Sequence, residues 1–557
     1  MINACIAVIV LRLFLPTLIK FRCGYITNEL SGLIVAIVIL MLGLVFIFRK
    51  WQRNEAFVQS GFEWPIVVLL AACGLSLFHS AYFFGSQLFV IGILSYAFYF
   101  YILVDVLREE QAACRYLLSL GTCCLVVGVW SIGEYGLPIS STLHWADQWI
   151  PKVYSYRRVA SVFDSPNLLA GFYMMALPVL GAILVLSDKL WKKWASAAAI
   201  ILSLAGFLMT LSFLCTVNFF VTTVILAPVI MKEWFKKSFG KLFYSAVMLG
   251  MGLMVGAVFW IRKDCSSGAR VEYLQAAWLI LKDHWCWGTG IDTFRFVSPQ
   301  YAHGYSYSGY VHNSYVQIWA EIGVLGLIAV LSWIGLFVTT ALKGLQSIQE
   351  KRQRILWVAL IWALSAFYVD NLTNFSLLSP DMAIFGWVAL AGFCTLAGST
   401  KEVPIKAQGS RTLGLFLGLL AGLLLLKCLV LAASFLDFQK AMVALDNREY
   451  PRSYELFEQA KQLEPSNQNT YAEQGLLDMR VYELTGQMQF LSQAESKLQE
   501  ASAYSPYYYP NTLLLCKIAK AEGNRPKMKQ YYQRLLKLCP AGQAFFEQEL
   551  LLSQNKK

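Results

Sequence analysis

Residues 311–342 read VHNSYVQIWAEIGVLGLIAVLSWIGLFVTTAL, and between Tyr315 and Leu342 the only charged side chain is Glu321. A helix needs ~20 predominantly apolar residues to cross ~30 Å of hydrocarbon, so this stretch is a membrane span. Asn313, Gln317 and Glu321, at i, i+4 and i+8, share one face of it. Polar groups at such positions face the protein interior and not lipid. His312 stands at the mouth of the same helix, beside its carboxylate-bearing face.

The flanking sequence is of the same kind. Hydrophobic residues fill 57% of the 557 positions, charged residues 14%, and the mean hydropathy is +0.53. That is far too apolar for a soluble globular protein. Apolar stretches of spanning length number thirteen, at about 3–20, 30–48, 62–79, 88–107, 116–134, 168–187, 195–212, 215–231, 242–261, 315–342, 355–373, 380–398 and 412–434. The run 195–231 is too long for one span and divides near Leu211 to Cys215. Residues 2–20 carry Arg12 and Pro16 and read as a first, imperfect span, not a cleavable signal. Basic clusters around Arg49 and Arg53, Arg108 and Arg115, Lys189 to Lys193, Lys232 to Lys241, Lys343 to Arg354, and Lys401 to Arg411 all fall on one side of this map. The positive-inside rule makes that side cytoplasmic and leaves 135–167, 262–314 and everything after about 435 outside. This loop bias accounts for the net charge of +12, so no nucleic-acid partner is expected. The 13 cysteines contain no CxxC pair, the five histidines no HxxxH, and there is no Walker or Rossmann glycine loop. Neither a metal nor a cofactor is expected.

Past residue 435 the composition turns polar and helix-forming. ELFEQAKQLEP, SKLQEASAYSP and YYQRLLKLCP keep Ala460 and Pro465, Ala501 and Pro506, Leu535 and Pro540 at one spacing. The prolines are 41 and then 34 residues apart, and Gly486 and Gly523 sit where hairpin turns are expected. The pattern resembles tetratricopeptide repeats, with the family's Trp and Gly-Tyr positions poorly kept. Such a module offers a concave surface and implies a protein partner, not a reaction. The expected fold is all-α: a polytopic membrane helix bundle of about 13 spans over residues 1–435, then a helical-repeat domain over 436–557.

The two external loops carry the candidate chemistry. Arg157 and Arg158 precede VASVFDSPNLLAG, in which Ser165 can cap and Pro166 can open the sixth span. A helix N-terminus then faces outward, where its free N–H groups favour an anion and Arg158 adds a fork suited to phosphate. Arg157 reads rather as an anchor in the lipid headgroups. In 262–314, rich in Trp, Tyr and Phe and so unlike a disordered tether, Leu274, Ala277, Trp278, Leu281 and Trp285 recur at helical spacing. They predict an amphipathic helix on the outer membrane surface, with Arg270 at its start. Tyr301, Tyr305, Tyr307, Tyr310 and Tyr315 suit sugar stacking and an interfacial belt equally. Cys265 and Cys286 flank the helix on the side where a disulfide can form. Arg12, Asp105, Asp370 and Lys427 are further ionisable residues in or at the ends of spans, and no role is read for them.

Together these motifs resemble the O-antigen ligase superfamily, which includes O-antigen ligases, polysaccharide polymerases and bacterial protein O-oligosaccharyltransferases. The resemblance spans about residues 60–400. Its parts are Arg158-Val159-Ala160-Ser161-Val162-Phe163-Asp164-Ser165-Pro166-Asn167, then Gly268-Ala269-Arg270, Lys282-Asp283 to Gly288-Thr289-Gly290, and His312-Asn313-Ser314-Tyr315 to Glu321-Ile322-Gly323-Val324-Leu325-Gly326. It implies a metal-independent glycosyltransferase of the bacterial inner membrane. The donor would be a glycan on undecaprenyl pyrophosphate, taken at the periplasmic face, and the acceptor a hydroxyl of a lipid A core sugar, a glycan or a protein. It implies that Arg158 and Arg270 hold the pyrophosphate and that His312 lies at the reaction centre. Asn167, Asn313, Tyr315 and Glu321, from the same motifs, are expected at the substrate.

One departure stands out. Where the family carries a Ser-Arg-Gly type motif, this chain has Thr210-Leu211-Ser212-Phe213-Leu214, and Phe213 replaces the arginine. Either another cation such as Arg157 or Arg262 substitutes, or donor binding differs, or the chain is impaired. Two readings of other classes are a transporter of lipid-linked oligosaccharides and an inactive scaffold that recruits partners through its repeats. A transporter places its charges near the midplane in broken helices, whereas here they lie in external loops. Since no motif residue falls in the C-terminal module, residues 437–557 are expected to select or position a partner and not to build the active site.

Overall fold

With no water in a bilayer core, backbone groups must pair within their own segment, so apolar runs become helices. The computed structural model describes residues 1–23, 28–136, 158–234, 237–261, 267–304, 308–397, 401–402 and 407–552. The first helices are α1 (Ile2–Cys23), α2 (Asn28–Arg53), α3 (Glu63–Ser76), α4 (Phe83–Val106), α5 (Glu110–Gly136), α6 (Pro166–Leu186), α7 (Leu190–Met209), α8 (Phe213–Trp234) and α9 (Lys237–Ile261). There follow α10 (Ser267–His284), α11 (Phe294–Tyr301), α12 (Ser314–Ser347), α13 (Lys351–Asp370), α14 (Pro380–Leu396) and α15 (Ala407–Asp446). The chain closes with α16 (Tyr450–Leu463), α17 (Gln468–Thr485), α18 (Met488–Tyr504), α19 (Tyr509–Ala521), α20 (Arg525–Leu538) and α21 (Gln543–Leu552).

Among the described residues nine helices are long and apolar enough to cross a membrane, and four shorter apolar segments, Ile2–Pro16, Glu63–His79, Met248–Trp260 and Pro380–Leu396, fill the remaining expected positions. The long run at 195–231 breaks where expected, at Leu211, whose φ of 48° ends α7 and lets α8 begin two residues later. At the centre, α6 packs against α7 and α13 through small residues that let helices approach. A Cβ on Gly206 would lie 2.5 Å from the Tyr173 hydroxyl, so that contact requires glycine.

Cross-links between loops sort the helix ends onto two faces. Lys50 pairs with Asp105 at 2.7 Å, Arg354 with Glu233 at 2.9 Å, and Arg352 with Asp188. Two short strands, β1 (Val58–Gln59) and β2 (Lys401–Glu402), join antiparallel with Val58 opposite Glu402. All these residues lie at the ends that the basic clusters assign to the cytoplasm. The candidate site residues gather at the opposite ends.

α15 runs unbroken through residue 435, so the last span and the first helix of the C-terminal module are one rod. Three helical hairpins follow from it: the end of α15 with α16, α17 with α18, and α19 with α20. Their turns use the left-handed conformation at Arg448 (φ 63°), Gly486 (φ 69°) and Gly523 (φ 71°). Each second helix ends alike, with the N–H of Glu464, Ser505 and Cys539 donating to the carbonyl of Ala460, Ala501 and Leu535. Those last three side chains are fully buried, which explains their recurrence in the sequence. The module docks on the face that carries the candidate site. Lys427 pairs with Glu464 at 2.6 Å, Ser434 Oγ donates to the Ala460 carbonyl at 2.9 Å, and Tyr508 meets Phe296 edge-on at 5.5 Å.

Candidate functional site

The scaffold of the site is a break in α12. Gly323 has φ 71° inside the helix, and the carbonyls that the break releases are taken by another loop. Thr289 N–H donates to the Ala320 carbonyl at 3.1 Å and Gly290 N–H to that of Glu321 at 2.8 Å, while Val324 N–H reaches the Cys286 carbonyl at 3.2 Å. A Cβ at Gly323 would sit 2.1 Å from the Cys286 carbonyl oxygen, and one at Gly288 2.2 Å from that of Glu321. Gly288-Thr289-Gly290 and Glu321-Ile322-Gly323 are thus two halves of one backbone joint.

The polar stripe on α12 secures this joint. Glu321, 1% exposed, accepts the N–H of Asp292 and of Phe294, each at 2.9 Å, and the Gln317 amide at 3.0 Å. It thereby caps α11. Gln317 accepts the Val311 N–H at 2.9 Å. Asn313 caps α12 by accepting the N–H of Tyr315 and Val316, both at 3.1 Å. Tyr315 donates to the Tyr368 carbonyl at 2.6 Å. All four residues hold backbone in place.

Arg158 and Arg270 are set by a buried polar network at the ends of α6, α8, α10 and α13 that lie opposite the basic clusters. Arg158 Nε donates to the Thr210 carbonyl and Nη2 to Asn167 Oδ1, each at 2.9 Å. Asn167 Oδ1 also accepts Ser212 Oγ at 2.8 Å, and the Ser165 cap of α6 forms as expected, at 3.2 Å. Arg270 Nη1 donates to the Thr373 carbonyl at 3.0 Å. Between the arginines, Asp370 accepts Asn374 Nδ2 at 3.1 Å, Ser376 Oγ at 3.1 Å and Asn218 Nδ2 at 3.4 Å. Asn374 also reaches the Asn167 carbonyl at 3.5 Å, and Asn218 reaches Thr373 Oγ1 at 2.7 Å. These anchors on the arginines are neutral oxygens, which orient a guanidinium. Asp370, Asn374 and Asn218 were not among the expected site residues. The signal for the first two was the density of Asp370, Asn371, Thr373, Asn374 and Ser376 in one short turn between spans.

His312 sits in the left-handed region at φ 59°, and Ser161, Leu211 and Asp292 share that conformation around the same face. Strained positions of this kind persist only where packing fixes them, and they cluster at functional sites. The imidazole lies over Tyr273, with ring centroids 6.0 Å apart, and against the edge of Phe375 at 5.2 Å. Its Nδ1 is buried without a hydrogen-bond partner among the described residues. Burial, and next the nearby Arg270 guanidinium, push its pKa down to about 3, so the ring is neutral.

α10 forms as expected but divides its apolar side. Ala277, Ile280 and Leu281 bury against Phe294, Val297 and Val311, whereas Leu274, Trp278 and Trp285 are exposed, where a membrane interface would take them. Tyr301 bonds Asp283 at 2.7 Å, and Tyr310 stacks on Phe375 at 3.9 Å. Arg157, Arg262, Cys265, Tyr305 and Tyr307 lie outside the described residues. Among the described residues no group of three His, Cys, Asp or Glu side chains is placed to hold a metal ion.

Phe213 opens α8, one residue after Ser212, with its ring 5.7 Å from that of Phe259. It is half-buried, next to Ser212, whose hydroxyl donates to Asn167 Oδ1. Where this position faces the polar network beside Ser212, Phe213→Arg should insert normally. Insertion measured by membrane fractionation decides the matter. A charge facing lipid costs ~2.5–3.5 kcal/mol and would show as lost protein.

Beside the site lies a cavity of about 760 Å³. Its wall includes Tyr310 and Phe375, the latter in contact with the His312 ring, and the lining also includes Gln468, Asn469 and Tyr508. The C-terminal module thus helps enclose this space, which lies beside the site. Arg12, left without a role in the sequence, lines the cavity and pairs with Asp381.

The fold and these groups define a multi-spanning membrane protein with two held arginines and a neutral histidine on one face. Residues 153–331 match the family model described as O-antigen ligase, a glycan-transferring type. The matched segment holds Arg158, Asn167, Arg270, His312, Asn313, Tyr315 and Glu321, and leaves out Arg12, Asp370 and the C-terminal module. No curated protein matches the chain.

Proposed function

We propose that the protein transfers a glycan from undecaprenyl pyrophosphate to an acceptor hydroxyl at the periplasmic face of a bacterial inner membrane. The acceptor is a lipid A core sugar, a growing glycan or a protein. The observation that carries this reading is the gathering of Arg158, Arg270 and His312, from separate segments, around one buried network on the face opposite the basic clusters. In this reading residues 1–435 perform the transfer. Residues 436–557 are a tetratricopeptide-like module that also engages a partner. Arg158 and Arg270 bind the pyrophosphate and stabilise the charge it gains on leaving. The acceptor oxygen attacks the anomeric carbon, the bond from that carbon to the pyrophosphate oxygen breaks, and the bonding pair leaves with undecaprenyl pyrophosphate. Attack opposite the leaving group inverts the anomeric configuration. The acceptor proton goes to neutral His312, or His312 hydrogen-bonds the pyrophosphate while solvent takes the proton.

The test is transfer by the purified full chain in liposomes, with a polyprenyl-pyrophosphate glycan placed in one leaflet and candidate acceptors in solution. Product is expected only when donor and acceptor meet the face that carries the C-terminal module. Product formed only at the opposite face, or none from any acceptor class, would overturn the proposal.

A further inference from the structure

The cavity enclosed jointly by the membrane bundle and the C-terminal module holds polar groups that the network around Arg158 and Arg270 does not use. Arg12, 3% exposed, lines it, with Nε and Nη1 buried and without hydrogen-bond partners among the described residues. Tyr82, also 3% exposed, lines it with a hydroxyl that likewise has no partner among the described residues. A buried polar atom without a partner costs free energy, and two such groups lining one cavity call for a ligand rich in oxygen. The charge lining the cavity says what kind. Arg12 already faces Asp381, and Arg295 faces Asp292 at 2.8 Å. Glu29 and Asp164 line the cavity as well. Among the described lining residues, four carboxyl groups stand against two guanidinium groups, a balance that repels a pyrophosphate yet suits sugar hydroxyls, which both donate and accept.

The rim continues the pattern. Asn511 Nδ2 donates to Gln468 Oε1 at 2.9 Å, and Gln468 Nε2 donates to Asn469 Oδ1 at 2.6 Å. This relay fixes the half-buried Asn469 amide at the cavity edge. Opposite it, Tyr508 packs on Phe296, which packs on Tyr82 with centroids 4.4 Å apart, giving flat apolar faces beside the polar groups. Deeper in, the wall turns apolar through residues such as Trp333 and Trp387. We infer that this cavity is the acceptor subsite, that it takes an uncharged sugar carried on an apolar moiety, and that the C-terminal module supplies Asn469 and Tyr508 as specificity-determining residues. The inference rests on the proposed transferase reading. It gives the module a place in the site itself, next to the Phe375 ring, whose face meets Tyr310 and which borders His312.

The test uses the full chain in nanodiscs and, as probe, a neutral alkyl glucoside bearing a photoreactive diazirine on its sugar. Crosslinks should map to segments around Asp292 to Phe296 and around Asn469 or Tyr508. An excess of unlabelled alkyl glucoside should compete, whereas inorganic pyrophosphate should not. Asn469→Phe, which blocks the rim without entering the buried core, and Tyr508→Ser should each lower labelling about tenfold, the effect of losing roughly one hydrogen bond or one ring contact. Labelling spread over the lipid-facing helices, or displaced by pyrophosphate, would overturn the inference. This readout needs no turnover, so it is separable from failure of the transfer assay. Conversely, transfer without cavity labelling would sink the subsite and leave the transferase reading standing.

Discussion

Gly323→Val should yield little folded protein. The residue combines φ 71° with a Cβ position 2.1 Å from the Cys286 carbonyl oxygen. A β-branched side chain there is strained in itself, and it drives apart the loop that pairs the freed carbonyls of α12. Disrupting both is expected to cost on the order of 4 kcal/mol or more, in the range that single substitutions reach only at special backbone positions. The loss should spread, because Glu321 can cap α11 only while the 286–294 loop stays docked. Gly335→Ala is the control within the same helix. Nothing lies within 4 Å of a Cβ at Gly335, and alanine is the better helix former. Thermal denaturation of the detergent-purified variants, followed by tryptophan fluorescence, should show Gly335→Ala at or above the parent midpoint and Gly323→Val far below it. Near-parent stability in Gly323→Val would mean that the joint is not what holds the external loop.

This joint also shows what the sequence could convey. The spans were legible because length and apolarity suffice to specify a helix in a bilayer, and the basic clusters sorted their ends. The repeat was legible through Ala460, Ala501 and Leu535, since one packing geometry demands one buried residue at one position. Glu321 was harder. A lone carboxylate in a span reads as functional, yet its partners are backbone N–H groups at Asp292 and Phe294, and only the kink brings them together. Asn313 could have been recognised as a cap from its type and its place before the helix. The cavity could not have been seen at all. Arg12, Tyr82, Asp292 and Asn469 come from α1, the turn before α4, a loop and α17, and no local pattern ties them together.

Arg270 and His312 should fail in different ways. If Arg270 binds the pyrophosphate in the ground state and at the transition state, Arg270→Ala should weaken donor affinity by roughly 10- to 100-fold, the loss of one or two charge-assisted hydrogen bonds, and lower turnover as well. Lysine should rescue only in part, because a point charge lacks the guanidinium fork. His312→Ala should leave donor affinity nearly unchanged and lower turnover by ~10²- to 10⁴-fold if the imidazole acts as the base. The pH profiles make the assignment sharper. Burial and the Arg270 charge hold His312 down to about 3 from 6.5, so the neutral ring persists as pH falls through 6.5. In kcat/KM, which reports the free enzyme, the limb due to His312 should appear only toward about pH 3. A bound pyrophosphate offsets the Arg270 charge, so the same limb in kcat should lie at higher pH. In Arg270→Ala the free-enzyme limb should also move up, because one of the two causes of the depression is gone. An acid limb near 6.5 in the parent enzyme's kcat/KM that vanishes in His312→Ala would contradict the buried, neutral histidine. Parent-like turnover in a folded His312→Ala protein would sink the base, and parent-like donor affinity in Arg270→Ala would sink the pyrophosphate site.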